Sequence, residues 1–183
     1  MVLSLEQTSK QSDPQSKNKI LMNKILLTLM AIFAFGLQNV CAQDAPLKIV
    51  TNHPDFKIKI ERCAASGKTV VIDMLFSNEG TDDADGVSVV TNFEGRQCEA
   101  YDSEGNVYRK SISAYAKGLS DQYGNVKNFS LIPDVPMKIR ITIDEFSETA
   151  EKIARLRLRV DCRKWKIGSG KLVEIRNVPI TRD

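Results

Sequence analysis

The chain has 183 residues, with 26 lysines and arginines against 23 aspartates and glutamates, one histidine and four cysteines. That near balance gives no overall field to draw it onto nucleic acid or an anionic membrane, and a lone histidine excludes a histidine-rich metal site. Any electrostatic function must be local.

Residues 1–21 are polar, rich in Ser, Gln and Lys, and without apolar period; they read as an upstream extension or a long signal n-region. Residues 22–42 read as a signal peptide: Lys24 is the positive flank, the apolar core covers 25–37, and Val40 and Ala42 take the −3 and −1 positions. The core falls short of the roughly 20 apolar residues that a spanning helix needs. The expectation is an exported protein, periplasmic or secreted, that starts near Gln43 and carries no transmembrane segment. Cys41 supports a rival reading as a lipidated N-terminus, but Gln38, Asn39 and Val40 are not the small residues that a lipoprotein signal uses. Without 1–42 the balance is 22 basic to 21 acidic residues. Residues 43–183 are long enough to close one hydrophobic core.

From Gln43 onward the dominant period is two. Phe56, Ile58 and Ile60 alternate with Lys57, Lys59 and Glu61, as in a strand with one wet face. Residues 69–76 are more uniformly apolar and predict a deeper strand, stopped by the turn cluster at 77–80. Residues 86–92 predict a valine-rich third strand, and 96–101 a fourth. A hairpin turn at 102–106 returns the chain through 107–113. Residues 126–132 follow, then Pro133 and Pro136 break the chain. In 137–143, Ile139, Ile141 and Ile143 oppose Lys138, Arg140 and Thr142. In 153–162, Leu156, Leu158 and Val160 oppose Arg155, Arg157 and Arg159. Residues 171–180 close the domain, and only 145–152 could be helical. Eight or nine short strands without strand–helix–strand alternation predict an all-β, immunoglobulin-like two-sheet antiparallel sandwich, with a barrel as the rival.

Residues 56–60, 69–72 and 100–108, the proline step at 133–136 and the ending 176–182 together resemble small secreted proteins of gut Bacteroidetes. Those are uncharacterised and similar to immunoglobulin-like domains of unknown function. The resemblance covers most of 56–182. It implies a sandwich and export, and it carries no activity and no site residues.

With Cys41 in the leader, Cys63, Cys98 and Cys162 remain, which in an oxidising compartment suggests one disulfide and one odd thiol. Three pairings are open. Cys63 and Cys162 each end a predicted strand while Cys98 lies inside one, so Cys63–Cys162 is the preferred bridge, stabilising by roughly 4 kcal/mol on the chain-entropy model.

The strongest surface feature is basic. If the strands at 137–143 and 153–162 pair as neighbours, Lys138, Arg140, Arg155, Arg157 and Arg159 share one outward face, extended by Lys57 and Lys59. Such a stripe suits an anionic polymer, because arginine binds sulfate, phosphate and carboxylate bidentately. The plainer reading is a solvated strand face whose charges deter edge pairing. Asp82, Asp83 and Asp85, in a glycine-bounded loop, are candidate oxygen ligands for a hard cation. The loop does not match the twelve-residue calcium pattern, since its last position would be Asn92, and an acidic turn is the plainer account.

Catalytic signals are sparse. His53 precedes the first strong strand and reads as solvated; a dyad with Cys63 would need that cysteine free. Asp73 interrupts an apolar run, either as a buried acid or as an outward residue. Trp165 with Tyr101, Tyr108, Tyr115 and Tyr123 could make a sugar-stacking surface, or fill the core and its corners. Residues 115–124 form the longest irregular stretch, where binding sites tend to lie. The sequence thus points to an exported, non-enzymatic binding or envelope accessory domain. Its partner would be an anionic glycan or an envelope protein rather than nucleic acid, for which interleaved aromatics are lacking. No cofactor is implied. The alternative is a glycan-active hydrolase using surface carboxylates.

Overall fold

The computed structural model describes residues 45–91, 98–166 and 172–182. The extension at 1–21, the leader at 22–42 and Cys41 lie outside the described residues. Twelve strands follow in order: β1 (Lys48–Val50), β2 (Phe56–Ser66), β3 (Thr69–Asn78), β4 (Ala84–Val90), β5 (Glu99–Asp102), β6 (Val107–Tyr108), β7 (Ile112–Tyr115), β8 (Val126–Leu131), β9 (Met137–Ile143), β10 (Lys152–Cys162), β11 (Val173–Pro179) and β12 (Thr181–Arg182).

They form two sheets. One runs β1-β11-β10-β4-β8, with β5 also on β10 and β6 on β5; the other runs β12-β2-β3-β9-β7. In chain order β2, β3, β9 and β7 stand where strands A, B, E and D of an immunoglobulin domain stand, and β4, β10 and β11 where C, F and G stand. The protein is therefore an all-β sandwich of immunoglobulin-like connectivity, and its ladders make two separate sheets rather than a closed barrel.

Alternation builds the core. Ile139, Ile141 and Ile143 of β9 meet Leu156, Leu158 and Val160 of β10 inside, all with no exposed surface, together with Phe76 and Ile72 of β3. Each such side chain contributes about 1.5–3 kcal/mol on burial, against about 0–1 for an exposed ion pair, so the inward rows hold the sandwich together. One irregularity sets which residues face out on β2. Its register on β3 shifts between Ile60 and Arg62. Ile58 and Ile60 lie opposite the inward Phe76 and Met74, but beyond the bulge it is Cys63 and Ala65 that oppose the inward Ile72 and Val70. The bulge thereby turns Arg62 and Ala64 outward.

The 145–152 helix does not form. Glu145 sits at φ 59°, in the left-handed region, which breaks helical continuity at once. Phe146 is buried and stacks on Tyr108 at 4.6 Å between ring centres, while Ser147 N donates to Tyr108 Oη at 3.0 Å. Tyr108 Oη in turn donates to Asp102 Oδ2 at 2.7 Å, and Asp102 Oδ1 accepts the Glu104 and Asn106 amides at 2.9 Å each, closing the predicted 102–106 turn.

Candidate functional site

The basic stripe is divided between the two sheets. The strands carrying it are not neighbours: β9 lies between β3 and β7, and β10 between β11 and the β4/β5 pair. Chain neighbours cross the sandwich here, so shared parity does not become a shared face. On the β10 face each arginine meets an acid. Arg155 lies 2.5 Å from Glu174, Arg157 3.2 Å from Glu99 and Arg159 2.9 Å from Asp161. Burial works to raise Glu99 and Glu174, but hydrogen bonds and the flanking arginines outweigh it and hold both carboxyls below the usual range. Lys138 and Arg140 stand on the other sheet.

The acidic loop does not converge. Asp82 pairs with Lys164 at 3.3 Å, Asp85 accepts Ser130 Oγ at 2.6 Å, and Asp83 points into solvent. No cluster of three His, Cys, Asp or Glu side chains able to hold a metal occurs among the described residues.

The Cys63–Cys162 bridge is absent as well: Cys63, Cys98 and Cys162 are all buried free thiols. Cys63 faces inward beside Ile72 on one sheet, whereas Cys162 is opposite Val87 on the other, its Sγ directed at Asp85 O 3.8 Å away. Burial pushes the Cys63 thiol up to about 12. It pushes Cys98 up to about 11, against the partial help of the Arg159 amide.

His53 is not a free solvated ring. It stacks on Trp165 with ring centres 4.7 Å apart and an 8° interplanar angle, and Asp55 N donates to its Nδ1 at 3.3 Å. Trp165 leans on Phe56 at 5.6 Å. Its indole thus caps the core, held between His53 and Phe56. A cleft of about 270 Å³ opens beside it, lined by His53, Asp55, Asp82, Lys164 and Lys166.

The residues that do come together lie on the outer face of the β2-β3-β9-β7 sheet. Register places Arg62 opposite Asp73, Asp73 opposite Arg140, and Arg140 opposite Tyr115, one row across four strands. Asp73 faces outward yet is only 5 % exposed, because the row covers it. Arg140 Nε donates to Asp73 Oδ1 at 2.8 Å, and that hydrogen bond and charge raise the guanidinium above its ordinary value. Two depressions open along the row. One, of about 150 Å³, is lined by Asp73, Tyr115, Lys117, Lys138 and Arg140. The other, of about 190 Å³, lies among Arg62, Ala64, Val71, Thr69 and the same Arg140.

The irregular stretch after β7 is tightly tied. Ala116 N donates to Ser120 Oγ at 2.8 Å and Ala114 N to Gly124 O at 2.7 Å. Asp121 Oδ1 accepts the Tyr123 and Asn125 amides at 2.9 Å each, and Lys127 lies 2.6 Å from Asp121 Oδ2. The loop fixes Tyr115 and Lys117 as a wall of the first depression. Sequence reasoning reached Lys138 and Arg140 within one basic stripe, Asp73 as a polar interruption and Tyr115 among the aromatics, and it marked 115–124, the stretch that holds Lys117, as a place for binding. It missed Arg62, whose outward position depends on the bulge.

No helix among the described residues is long and apolar enough to cross a membrane. No protein-family model and no curated protein matches this chain.

Proposed function

We propose that this chain is an exported immunoglobulin-like binding domain whose groove across β2, β3, β9 and β7 takes an anionic glycan. The observation that carries the reading is Arg140, held by a covered carboxylate and standing between two open depressions beside Tyr115. A fixed guanidinium next to an aromatic wall suits a sugar that bears an oxyanion: one group meets the charge and the other takes a ring face. Lys117 adds positive charge beside it, whereas Lys138 is balanced by Glu61 at 3.2 Å. Export is supported by the leader pattern of residues 22–42. The hydrolase alternative is disfavoured at this groove, because its acids are tied to bases, Asp73 to Arg140 and Glu61 to Lys138. A glycosidase needs a carboxyl free to protonate the leaving group.

Affinity electrophoresis in gels containing polygalacturonate, chondroitin sulfate, neutral galactan or single-stranded DNA tests the reading. Retardation by an acidic polysaccharide, reduced at least about tenfold in affinity by Tyr115→Ala, is expected. Unretarded migration in both acidic gels would overturn it, as would retardation by DNA alone.

A further inference from the structure

We infer that Arg140 is the fork that reads an oxyanion on an internal unit of the glycan, with a sugar ring seated on each side of it. This rests on the glycan-binding reading above. The guanidinium has two edges that can present paired N–H donors. Its Nε is committed to Asp73 at 2.8 Å, which leaves the end-on pair of terminal nitrogens as the free fork. Asp73 does more than neutralise. As an outward carboxylate only 5 % exposed, it is packed in place and sets the plane of the guanidinium before any ligand arrives. The side chain of Arg140 remains 47 % exposed, so the fork is open to solvent.

The charge balance favours an incoming anion. The row sets two arginines, Arg62 and Arg140, against the single carboxylate of Asp73. Lys117 at the Tyr115 end has no ion pair among the described residues, which leaves net positive charge along the groove.

The two depressions decide between an internal and a terminal unit. Both are open, both are bounded by Arg140, and at about 150 and 190 Å³ each is on the scale of one pyranose ring. A pocket for a chain end would have the arginine at a closed wall. Here it stands at the divide, so the acidic group falls near the junction of two occupied subsites. The subsites differ in character. Tyr115, about half exposed, offers a stacking face on one side, and Ala64 and Val71 give small apolar lining on the other. The ligand is therefore a run of at least two sugar units, with a carboxylate or a sulfate directed at the sheet.

Calorimetric titration of the full protein with galacturonate and its di-, tri- and tetramers, the matching neutral galacto-oligosaccharides, and chondroitin sulfate oligomers tests this. The trimer is expected to bind at least about tenfold tighter than the monosaccharide. Arg140→Lys, which keeps the charge facing Asp73 but removes the fork, should erase at least about tenfold of the trimer's affinity and with it most of the preference for acidic over neutral oligomers. Asp73→Asn, which loosens the fork without removing it, should lower trimer affinity several-fold. Tighter binding of the galacturonate series identifies carboxylate as the group read, and tighter binding of the chondroitin sulfate series that is lost on desulfation identifies sulfate. If Arg140→Lys binds the trimer like wild type while Tyr115→Ala does not, the fork is overturned and the groove stands. A monosaccharide that binds as well as the trimer overturns the internal placement. If acidic and neutral series alike fail to bind wild type, the groove reading falls, and this inference with it.

Discussion

Replacing Asp121 by Ala removes the acceptor that organises the loop beside the groove. Asp121 accepts the Tyr123 and Asn125 amides and pairs with Lys127. Asn125 is buried, and depriving a buried amide of its acceptor costs about 1–3 kcal/mol. Tyr123 is exposed and its amide can turn to water, and Lys127 is half exposed, so that pair adds about 0.5 kcal/mol. The expected loss is about 1.5–3.5 kcal/mol at pH 7. Its pH dependence has a definite sign. Burial works to raise Asp121, but the hydrogen bonds from Lys127, Asn125 and Tyr123 outweigh it and hold the carboxyl well below the usual carboxylate range. A depressed folded value contributes stability above the unfolded value of about 3.9 and loses it as pH falls toward the folded one. Urea denaturation of wild type and variant from pH 8 to pH 2.5 should give a constant gap between pH 6 and 8 that narrows below about pH 4. A gap under about 0.5 kcal/mol at pH 7, or one unchanged down to pH 2.5, would refute the reasoning.

Three further outcomes are expected. Gly124 sits at φ 75° with Ser113 Cβ only 2.8 Å from where a Cβ would stand, so Gly124→Ala should cost about 1–3 kcal/mol, lower the melting temperature and weaken acidic-glycan binding by displacing Tyr115. Phe76, fully buried and edge-on to Phe56 at 5.1 Å, should lose about 3–5 kcal/mol as Phe76→Ala in the same denaturation assay. With Cys63 and Cys98 buried and pushed up to about 12 and 11, a thiol reagent at pH 8 should leave both unmodified in the native protein and modify both in denaturant without reductant. Modification that requires prior reduction would show that they are bridged.

Much of the sandwich was legible because face parity is a local property. The alternation in β9 and β10 named the buried isoleucines and leucines directly. Sheet membership is not local, and for that reason Lys138 and Arg140 parted from Arg155, Arg157 and Arg159. The bulge before Arg62 is a second non-local choice. Strict alternation from Phe56 would have sent Arg62 inward and Cys63 outward, and nothing in residues 56–66 marks the extra step. The helical signal at 145–152 had a physical origin too. Phe146, Ala150 and Ile153 follow a helix-like spacing and all three are buried, but the chain reaches the core through a left-handed turn at Glu145. Asp73 stood out as a polar interruption, yet its partner is 67 residues away and only the sheet brings them together.

Strand β10 is matched along one side by two short strands in relay. Val90 is opposite Arg159 and Glu99 is opposite Arg157, so positions distant in the chain are successive steps of one ladder. The join is pinned: Cys98 N donates to Thr91 O at 3.4 Å, Cys98 Sγ donates to Val90 O at 3.2 Å, and Arg159 N donates to that sulfur at 3.4 Å. Register on each side of the join is therefore fixed by β10. The long strand thus serves as a template: β4 and β5 each take their alignment from their own partners on it, and the ladder stays in line where one short strand gives way to the other.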